Sequence, residues 1–483
     1  MILSKIICVN QRHPRETIFP QNYVHPDEIS YLCGRFPRLM EVSLSGHYNY
    51  QRLLRTMVPS VMMMVVVSVY SIVDGFFISN FVGTTAFAAI NLVWPMLMMI
   101  GAIGLMMGAG GSALVSKTMG EADFAKAHCI FTMLVRVTFL MGVFFGVVGY
   151  FFAEPICRAL GAEGALLHDC VRYMRILLLA MPLMMLQMAF QSFFMTAEKP
   201  MVGTKLSVVT GLINIAFDAL LVVWLRWGVT GAAIATVLAQ AVGGIFPIFY
   251  FSSRHNRSAL KLVSAVTEWK HVAQACLNGS SEYVGNISLS IVSMCYNAQL
   301  LKYLGENGVA AYGVIMAVSF ILAAIFIGYN IGITPIIGYN YGAQNTLELK
   351  SLLRKSIVLE FSFGAVMTLL GLAVAYPVSW IYVGYDAELL HLTVRAFCIY
   401  VISFLLCGYN MFISALFTAL NNGVVSAVAA FTRTLVFEVA AVFILPLLIG
   451  IDGIWYSVIV AEVLAAILST GLLFAFKNRY QYM

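Results

Sequence analysis

Long stretches of hydrophobic residues recur along the whole chain and are separated by short polar segments. Each stretch holds about 20 or more mostly apolar residues, the length that a helix needs to cross the roughly 30 Å hydrocarbon core of a bilayer. We number these predicted spans 1 to 12 in chain order. They cover residues 56–79, 90–116, 128–153, 173–195, 201–226, 229–252, 272–300, 309–337, 356–382, 394–420, 423–449 and 452–476. The pattern predicts an all-α integral membrane protein with twelve transmembrane helices.

Turn residues recur in this sequence at one fixed offset of 222 residues. Gly83, Gly110, Gly120, Pro155, Gly228 and Gly231 reappear as Gly305, Gly332, Gly342, Pro377, Gly450 and Gly453. A single offset that keeps glycines and a proline in step indicates two copies of one architecture. Because each copy has an even number of spans, both enter the membrane in the same direction. We therefore expect two parallel six-helix repeats that form two lobes around a central cleft.

The repeat divides the chain into four predicted regions. These are a polar leader (1–46), an amino-terminal lobe (47–252), a cytoplasmic linker (253–271) and a carboxyl-terminal lobe (272–483). The leader holds four prolines and lacks the apolar core of a signal peptide, so we expect it to be disordered. Met40 is an alternative start of the chain.

Composition and charge placement agree with a membrane protein. Hydrophobic residues make up 61% and charged residues 10% of the chain, against roughly 45–50% and about 25% in soluble proteins. Basic residues fall in alternate loops, which places both termini in the cytoplasm of a cell whose inner membrane holds the protein. These residues are Arg52, Arg55, Lys117, Lys126, Lys199, Lys205, Arg254, Arg257, Lys261, Lys270, Lys350, Arg354, Lys355, Lys477 and Arg479. The formal charge of +6 then reflects basic residues in the cytoplasmic loops. We therefore expect membrane lipids around the protein and no nucleic-acid partner.

Two classes of soluble chemistry are disfavoured by the sequence. The nine cysteines show no CxxC and no Cys/His ligand spacing, which argues against a structural zinc or redox site. The segment 111–118 is a near miss to a phosphate-binding loop, but Ser116 replaces a required glycine and the segment ends a membrane span. We expect no enzyme activity and no cofactor.

Two acids inside the membrane are the most informative residues. Asp74 lies late in span 1 and Asp218 late in span 5, and each is roughly 25 Å along its helix at about 1.5 Å per residue. Asn214 lies one turn before Asp218 on the same helical face. A buried carboxylate costs several kcal/mol unless a partner compensates it, and either a proton or sodium would suit two neighbouring carboxylates. The alternative is a wet vestibule in which both acids only solvate helix ends.

The second half lacks this acid pair. The repeat offset sets Tyr296 against Asp74 and Ala440 against Asp218. Other ionisable groups occur there instead, namely Glu282, Arg433, Glu438 and Glu462. Arg433 and Glu282 lie at one depth in their spans, so an ion pair between them is geometrically allowed. Such a pair would be structural, or Glu282 would be the first candidate for contact with an organic cation.

Two tyrosines and two glycine pairs in the predicted spans are also candidates for a role. Tyr70 and Tyr296 offer cation–π contacts to a cationic ligand, or serve only in interhelical packing. The GxxxG pairs Gly104/Gly108 and Gly328/Gly332 are expected to pack helices inside each lobe.

Four segments carry a family resemblance: YSIVDGFFIS in span 1, SKTMGEADFAKA after span 2, NIAFDALL in span 5 and GYNIGITPIIGYNYGAQN in span 8. Together they resemble the prokaryotic branch of the multidrug and toxic compound extrusion (MATE) transporters over residues 50–476. The resemblance implies a cation site formed by Asp74, Asn214, Asp218 and Thr236, and a monomer. Gly75 and the segment 278–282 depart from the family pattern, which weakens any carry-over to the second lobe.

These patterns together predict a secondary active multidrug efflux transporter. It would export small amphipathic, cationic compounds in exchange for protons or sodium through alternating access. The first alternative is a flippase for lipid-linked oligosaccharides, which would need a central cluster of basic residues. An ion channel or a membrane protein without transport activity is a further alternative, and a channel would need a continuous polar stripe through several spans.

Overall fold

Residues 43–82, 84–253 and 256–483 are described by a computed structural model of the protein. Over these ranges the chain folds into helices and forms no strand. The expected disorder of the leader concerns mainly residues 1–42, which lie outside the described residues.

The described residues contain helices for twelve membrane spans, as predicted. Their bounds are Tyr50–Phe81 for span 1, Thr84–Gly120 for span 2, Phe124–Ala159 for span 3, Gly164–Leu179 with Met181–Thr196 for span 4, Pro200–Asp218 for span 5 and Gly228–Ser252 for span 6. In the second repeat they are Trp269–Gly342 for spans 7 and 8, Thr346–Val383 for span 9, Ala387–Tyr400 with Phe404–Ala419 for span 10, Gly423–Phe431 with Glu438–Ile449 for span 11 and Asp452–Tyr480 for span 12.

Spans 7 and 8 form one hydrogen-bonded run of 74 residues. At about 1.5 Å per residue such a run is more than three times as long as a bilayer core is thick, so it must fold back on itself. Gly305 makes that reversal with φ 63° and ψ −151°, a backbone conformation that residues with a Cβ rarely adopt. The run is therefore two spans joined at one glycine.

Spans 4 and 10 are both broken near their middle. In span 4 the two segments meet at Ala180 with a bend of 60°. In span 10 a 3₁₀ turn, Val401–Ser403, separates the two segments. The two breaks are counterparts in the repeat, so the duplication extends to the irregular parts of the fold.

Spans 5 and 11 each contain a π-helical turn beside an acid. The turn in span 5 is Ala219–Trp224 and follows Asp218 directly. The turn in span 11 is Thr432–Phe437 and ends at Glu438. Such turns are frequent at functional sites because they reorient the side chains next to them.

The two lobes meet at one end of the molecule, which we call the terminal end because Tyr50 and Tyr480 lie there. One hydrophobic core runs through the amino-terminal lobe and continues across this end into spans 8 and 10. A separate core fills the other half of the carboxyl-terminal lobe, around Tyr296 and Trp455. The lobes are thus joined by packing at the terminal end.

Spans 2 and 8 touch backbone to backbone at this end. A Cβ added to Gly120 of span 2 would lie 2.0 Å from the carbonyl oxygen of Tyr339, and one added to Gly342 of span 8 would lie 2.0 Å from the carbonyl oxygen of Lys117. Gly120 is the repeat counterpart of Gly342, and Lys117 is the counterpart of Tyr339. The closure is therefore pseudo-symmetric.

The two GxxxG pairs differ in what they contact. Gly104 and Gly108 pack against the backbone of span 4, inside the amino-terminal lobe, as expected. Gly328 and Gly332 pack against span 1 of the opposite lobe, and a Cβ on Gly328 would lie 2.5 Å from Val61 Cα. The expectation that the second pair packs inside its own lobe is wrong, because span 8 lies at the boundary between the lobes.

Toward the far end the same helices face open space. A Cβ added to Gly75 of span 1 or to Gly313 of span 8 would meet no atom within 4 Å. Spans 1 and 8 are therefore in close contact near Gly328 and Gly332 and not at Gly75 and Gly313.

Candidate functional site

The two membrane acids of the amino-terminal lobe lie side by side. Asp218 is fully buried and Asp74 is half-buried, and their carboxyl groups come within hydrogen-bonding reach of each other. Apart from this mutual approach, Asp74 Oδ1 and both carboxyl oxygens of Asp218 are enclosed without a hydrogen-bond partner among the described residues. The structure therefore brings together the two acids that were singled out from the sequence.

No cation balances this pair within the described ranges. The ion pairs there involve other acids, such as Glu348, Glu121, Glu154, Asp452 and Glu462. Two carboxyl groups can share a hydrogen bond only when one of them carries a proton, and two carboxylates this close require a cation between them. Within the described residues, this arrangement can accommodate a proton or a cation.

Two tyrosines lie near the acid pair. Tyr173 of span 4 is buried, with 1% of its surface exposed, and lies near both Asp74 and Asp218. Tyr70 lies one turn before Asp74, interacts with that carboxyl group and packs its ring on Gly211 of span 5. Tyr70 was singled out from the sequence, but Tyr173 was missed because it stands at the predicted edge of span 4.

Asn214 and Thr236 complete the set of four that the sequence singled out. Asn214 is buried one turn below Asp218 in span 5. Span 6 runs antiparallel to span 5, and Gly231 lies opposite Leu221, so Thr236 reaches the depth of Asn214 and Asp218. Its hydroxyl donates to the Ala232 carbonyl at 3.0 Å, which leaves the hydroxyl lone pairs available to a ligand.

The carboxyl-terminal lobe holds an ion pair at its centre. Arg433 donates from Nη2 to Glu462 Oε1 at 2.6 Å and from Nε to both carboxylate oxygens at 3.0 and 3.2 Å. Asn410 Nδ2 donates to Glu462 Oε2 at 2.6 Å. The partner of Arg433 is thus Glu462 and not Glu282, so the pairing inferred from equal depth is wrong. Depth along a span does not determine which way a side chain points.

Glu438 is the second acid of this cluster. It is half-buried and interacts electrostatically with Arg433, Glu462 and three tyrosines, Tyr296, Tyr312 and Tyr400. The rings of Tyr296 and Tyr312 stack with centroids 5.0 Å apart. One arginine therefore stands beside two carboxyl groups, and the Tyr296 hydroxyl has no hydrogen-bond partner in the described chain.

Glu282 and Glu360 stand apart from that cluster. Glu282 is exposed on span 7, and Asn286 Nδ2 donates to its backbone carbonyl at 2.8 Å. Glu360 of span 9 is fully buried, and neither of its carboxyl oxygens has a hydrogen-bond partner among the described residues. Nothing in the sequence assigned Glu360 a role.

A conventional metal centre is not formed by the described residues, which contain no group of three or more His, Cys, Asp and Glu arranged to hold a metal ion.

Comparison with known proteins identifies relatives over most of the chain. The sequence model of the MatE family matches residues 59–220 and 283–444, two stretches of equal length that fall in the two repeats. The chain is 24% identical over 412 residues to the multidrug export protein MepA of Staphylococcus haemolyticus (strain JCSC1435), covering 85% of this chain and 90% of that protein.

Solved structures share the fold at low sequence identity. A crystal structure of MATE in complex with MaL6 superposes with a TM-score of 0.85 at 21% identity, over 90% of this chain and 98% of that one. The outward-facing conformation of a multidrug resistance MATE family transporter of the MOP superfamily superposes with a TM-score of 0.84 at 21% identity, over the same shares of the two chains.

Proposed function

Because this chain belongs to the MatE family, whose sequence model matches both of its repeats, we propose that it is a secondary active exporter of amphipathic organic cations. The relatives named as multidrug export proteins support this substrate class. Export is driven by antiport of a cation that enters at the acid pair of the amino-terminal lobe.

The observation that carries the coupling proposal is the direct approach of the Asp74 and Asp218 carboxyl groups. A proton fits between two carboxyl groups within hydrogen-bonding reach, whereas sodium needs several further oxygen ligands. Asn214 and Thr236 offer such oxygens at the same depth. We therefore place the proton first as coupling ion and sodium second.

The terminal end is assigned to the cytoplasm because basic residues concentrate in its loops. The closed terminal end and the open far end then describe an outward-facing molecule. The likeness to a transporter in the outward-facing conformation supports this assignment.

Antiport requires that the driving ion and the substrate favour different states or compete for one state. The acid pair spans two helices, 1 and 5, of which span 1 also contacts the opposite lobe at Gly328. A change of charge at Asp74 therefore acts on a helix that forms part of the closure between the lobes. This link connects ion binding to the position of the lobes.

The flippase alternative has less support. It needs basic residues free to bind a pyrophosphate, and the arginine at the centre of the carboxyl-terminal lobe is bound by Glu462 at 2.6 Å.

The test is efflux of ethidium from proteoliposomes that hold the full-length protein, with an imposed proton gradient in one set and a sodium gradient in another. Wild type is compared with Asp74→Asn, Asp218→Asn and the control Asp123→Asn. Asp123 caps span 3 with a side-chain acceptor, which Asn also provides.

We expect proton-driven efflux in wild type and in Asp123→Asn. We expect this efflux to be lost in Asp74→Asn and in Asp218→Asn. Efflux that persists in Asp74→Asn and Asp218→Asn would remove the acid pair from the mechanism. Efflux driven by sodium alone would replace the proton as coupling ion, and no efflux of any organic cation under either gradient would overturn the export proposal itself.

A further inference from the structure

Seven residues ahead of span 1, residues 43–49, bridge the two lobes at the terminal end; we call this segment the strap. It has no regular secondary structure, yet its two large apolar side chains, Leu44 and Tyr48, are fully buried. Both belong to the core that crosses between the lobes. Residues 43–46 were grouped with the disordered leader on their polarity, but Leu44 gives them an apolar anchor.

The strap is bound to the carboxyl-terminal lobe by Glu348 of span 9. Glu348 Oε1 accepts from the Tyr48 backbone N–H at 2.8 Å, and Oε2 lies 2.7 Å from His47 Nδ1. Lys355, two turns further along span 9, donates to the Tyr48 carbonyl. The Glu348 side chain is only 6% exposed, so its hydrogen bonds are shielded from water and correspondingly strong.

The same segment is bound to the amino-terminal lobe. The Leu44 N–H donates at 2.7 Å to Glu198 in the turn between spans 4 and 5. Arg52 of span 1 donates to the carbonyls of Ser45 and His47 at 3.0 Å each, and its guanidinium lies 4.5 Å from the Tyr48 ring centroid. The strap is therefore bonded to span 1 and to the turn between spans 4 and 5.

The linker repeats this arrangement with the lobes exchanged. It leads into span 7 of the carboxyl-terminal lobe, yet it is held by span 3 of the amino-terminal lobe. Thr132 Oγ1 accepts from the Val263 N–H at 3.0 Å, and Arg136 donates to the Ala265 carbonyl at 3.1 Å. Spans 3 and 9 are counterparts in the repeat. Each lobe is thus entered through a segment that is fastened to the other lobe.

From this exchange we infer that the strap is a releasable latch and that Glu348 holds it against span 9. Glu348 would act on transport only by positioning the strap. The inference rests on the proposed alternating access, because only a change of access requires the lobes to part at the terminal end. When they part, the strap moves with span 1, so the bonds to Glu348 and Lys355 break while those to Glu198 and Arg52 persist. The latch stabilises the state in which the terminal end is closed and is absent from the opposite state.

The experiment measures backbone hydrogen exchange by mass spectrometry on the full chain in lipid nanodiscs. The informative peptides cover 106–120 and 328–342, the halves of spans 2 and 8 that touch between the lobes. Wild type is compared with Glu348→Ala and with Glu388→Ala, a control that removes an exposed acid of the same lobe at the far end. We expect about tenfold or faster exchange in both peptides of Glu348→Ala, the size of effect that follows the loss of a buried charged hydrogen-bond acceptor, and no change in the control.

If both peptides of Glu348→Ala exchange at the wild-type rate, the latch proposal is overturned. If exchange in that variant rises in every span, the fold itself is weakened, and Lys355→Met then decides: faster exchange confined to the two peptides supports the latch, and unchanged exchange there overturns it. The readout does not depend on efflux. The latch can therefore fail while the export proposal stands, and the reverse also holds.

Discussion

Among the described residues, the amino-terminal lobe holds two neighbouring carboxyl groups with no cation of the protein beside them, whereas the carboxyl-terminal lobe pairs Arg433 with Glu462 and has Glu438 nearby. The two clusters share one pair of counterpart helices, because Asp218 lies in span 5 and Arg433 and Glu438 lie in span 11. A buried carboxylate needs compensation in either lobe. One lobe receives it from Arg433, and we propose that the other receives it from a bound proton or cation.

This difference shows how a duplicated fold can divide two tasks. The pair Arg433–Glu462 is compensated by its own charges in this structure, so it is suited to hold spans 11 and 12 together. The charge of the acid pair Asp74–Asp218 would be balanced only when an ion is bound, so the pair is suited to respond to ion binding. The predictions below test this division, from the largest expected effect to the smallest.

Removal of the fixed cation should weaken the carboxyl-terminal lobe strongly. Arg433→Met leaves the Glu462 carboxylate buried and unpaired, which costs about 3–5 kcal/mol of unfolding free energy. The measurement is the thermal unfolding midpoint of the purified protein. The double variant Arg433→Met/Glu462→Met should recover most of the loss, because an apolar pair replaces an ion pair at little cost. A double variant as unstable as the single one would contradict a structural role for this pair.

The first glycines of the two GxxxG pairs, Gly104 and Gly328, should respond differently to the same added methyl group. Gly104→Ala overpacks span 2 against span 4 inside a lobe and should lower the unfolding free energy by about 1–3 kcal/mol. Gly328→Ala acts between the lobes, which can move apart, so the unfolding midpoint should change less while hydrogen exchange in residues 328–342 becomes faster. Equal losses of stability in the two variants would mean that the lobes do not separate at this contact.

The acid pair should contribute little to stability. Asp218→Asn removes a carboxyl group that needs an external charge, so we expect an unfolding free energy within about 1 kcal/mol of wild type, or slightly above it. The unfolding midpoint is the measurement and Asp123→Asn the control. A loss as large as that of Arg433→Met would show that the amino-terminal acids are structural too, and the contrast between the lobes would disappear.

Much of the fold could be predicted from the sequence, because long apolar stretches and a constant repeat offset follow directly from bilayer thickness and duplication. The beginning of span 4 could not, since His168, Asp169 and Arg172 interrupt its hydrophobic pattern although they lie within the helix that starts at Gly164. The closure between the lobes also escaped prediction. A GxxxG pair indicates close approach of two helices but does not say which helix is the partner.

The sequence predicts those parts of the candidate site whose residues lie close together in one helix. Asp218 and Asn214 are one turn apart in one helix, so their shared face follows from the sequence. Tyr173 and the Arg433–Glu462 pair depend on how separate helices are rotated toward each other. The π-helical turn Thr432–Phe437 changes that rotation at Arg433 itself, and regular helical spacing gives no sign of it.

The meeting of Gly120 with Tyr339 and of Gly342 with Lys117 is a contact of main-chain atoms. The backbone contact itself depends on shape, so its strength should depend little on the ionic strength of the surrounding solution. Ionic conditions would then act on this end of the molecule through its charged side chains, at the strap and at Lys117, whose ammonium group lies 5.5 Å from the Tyr341 ring centroid across the same seam.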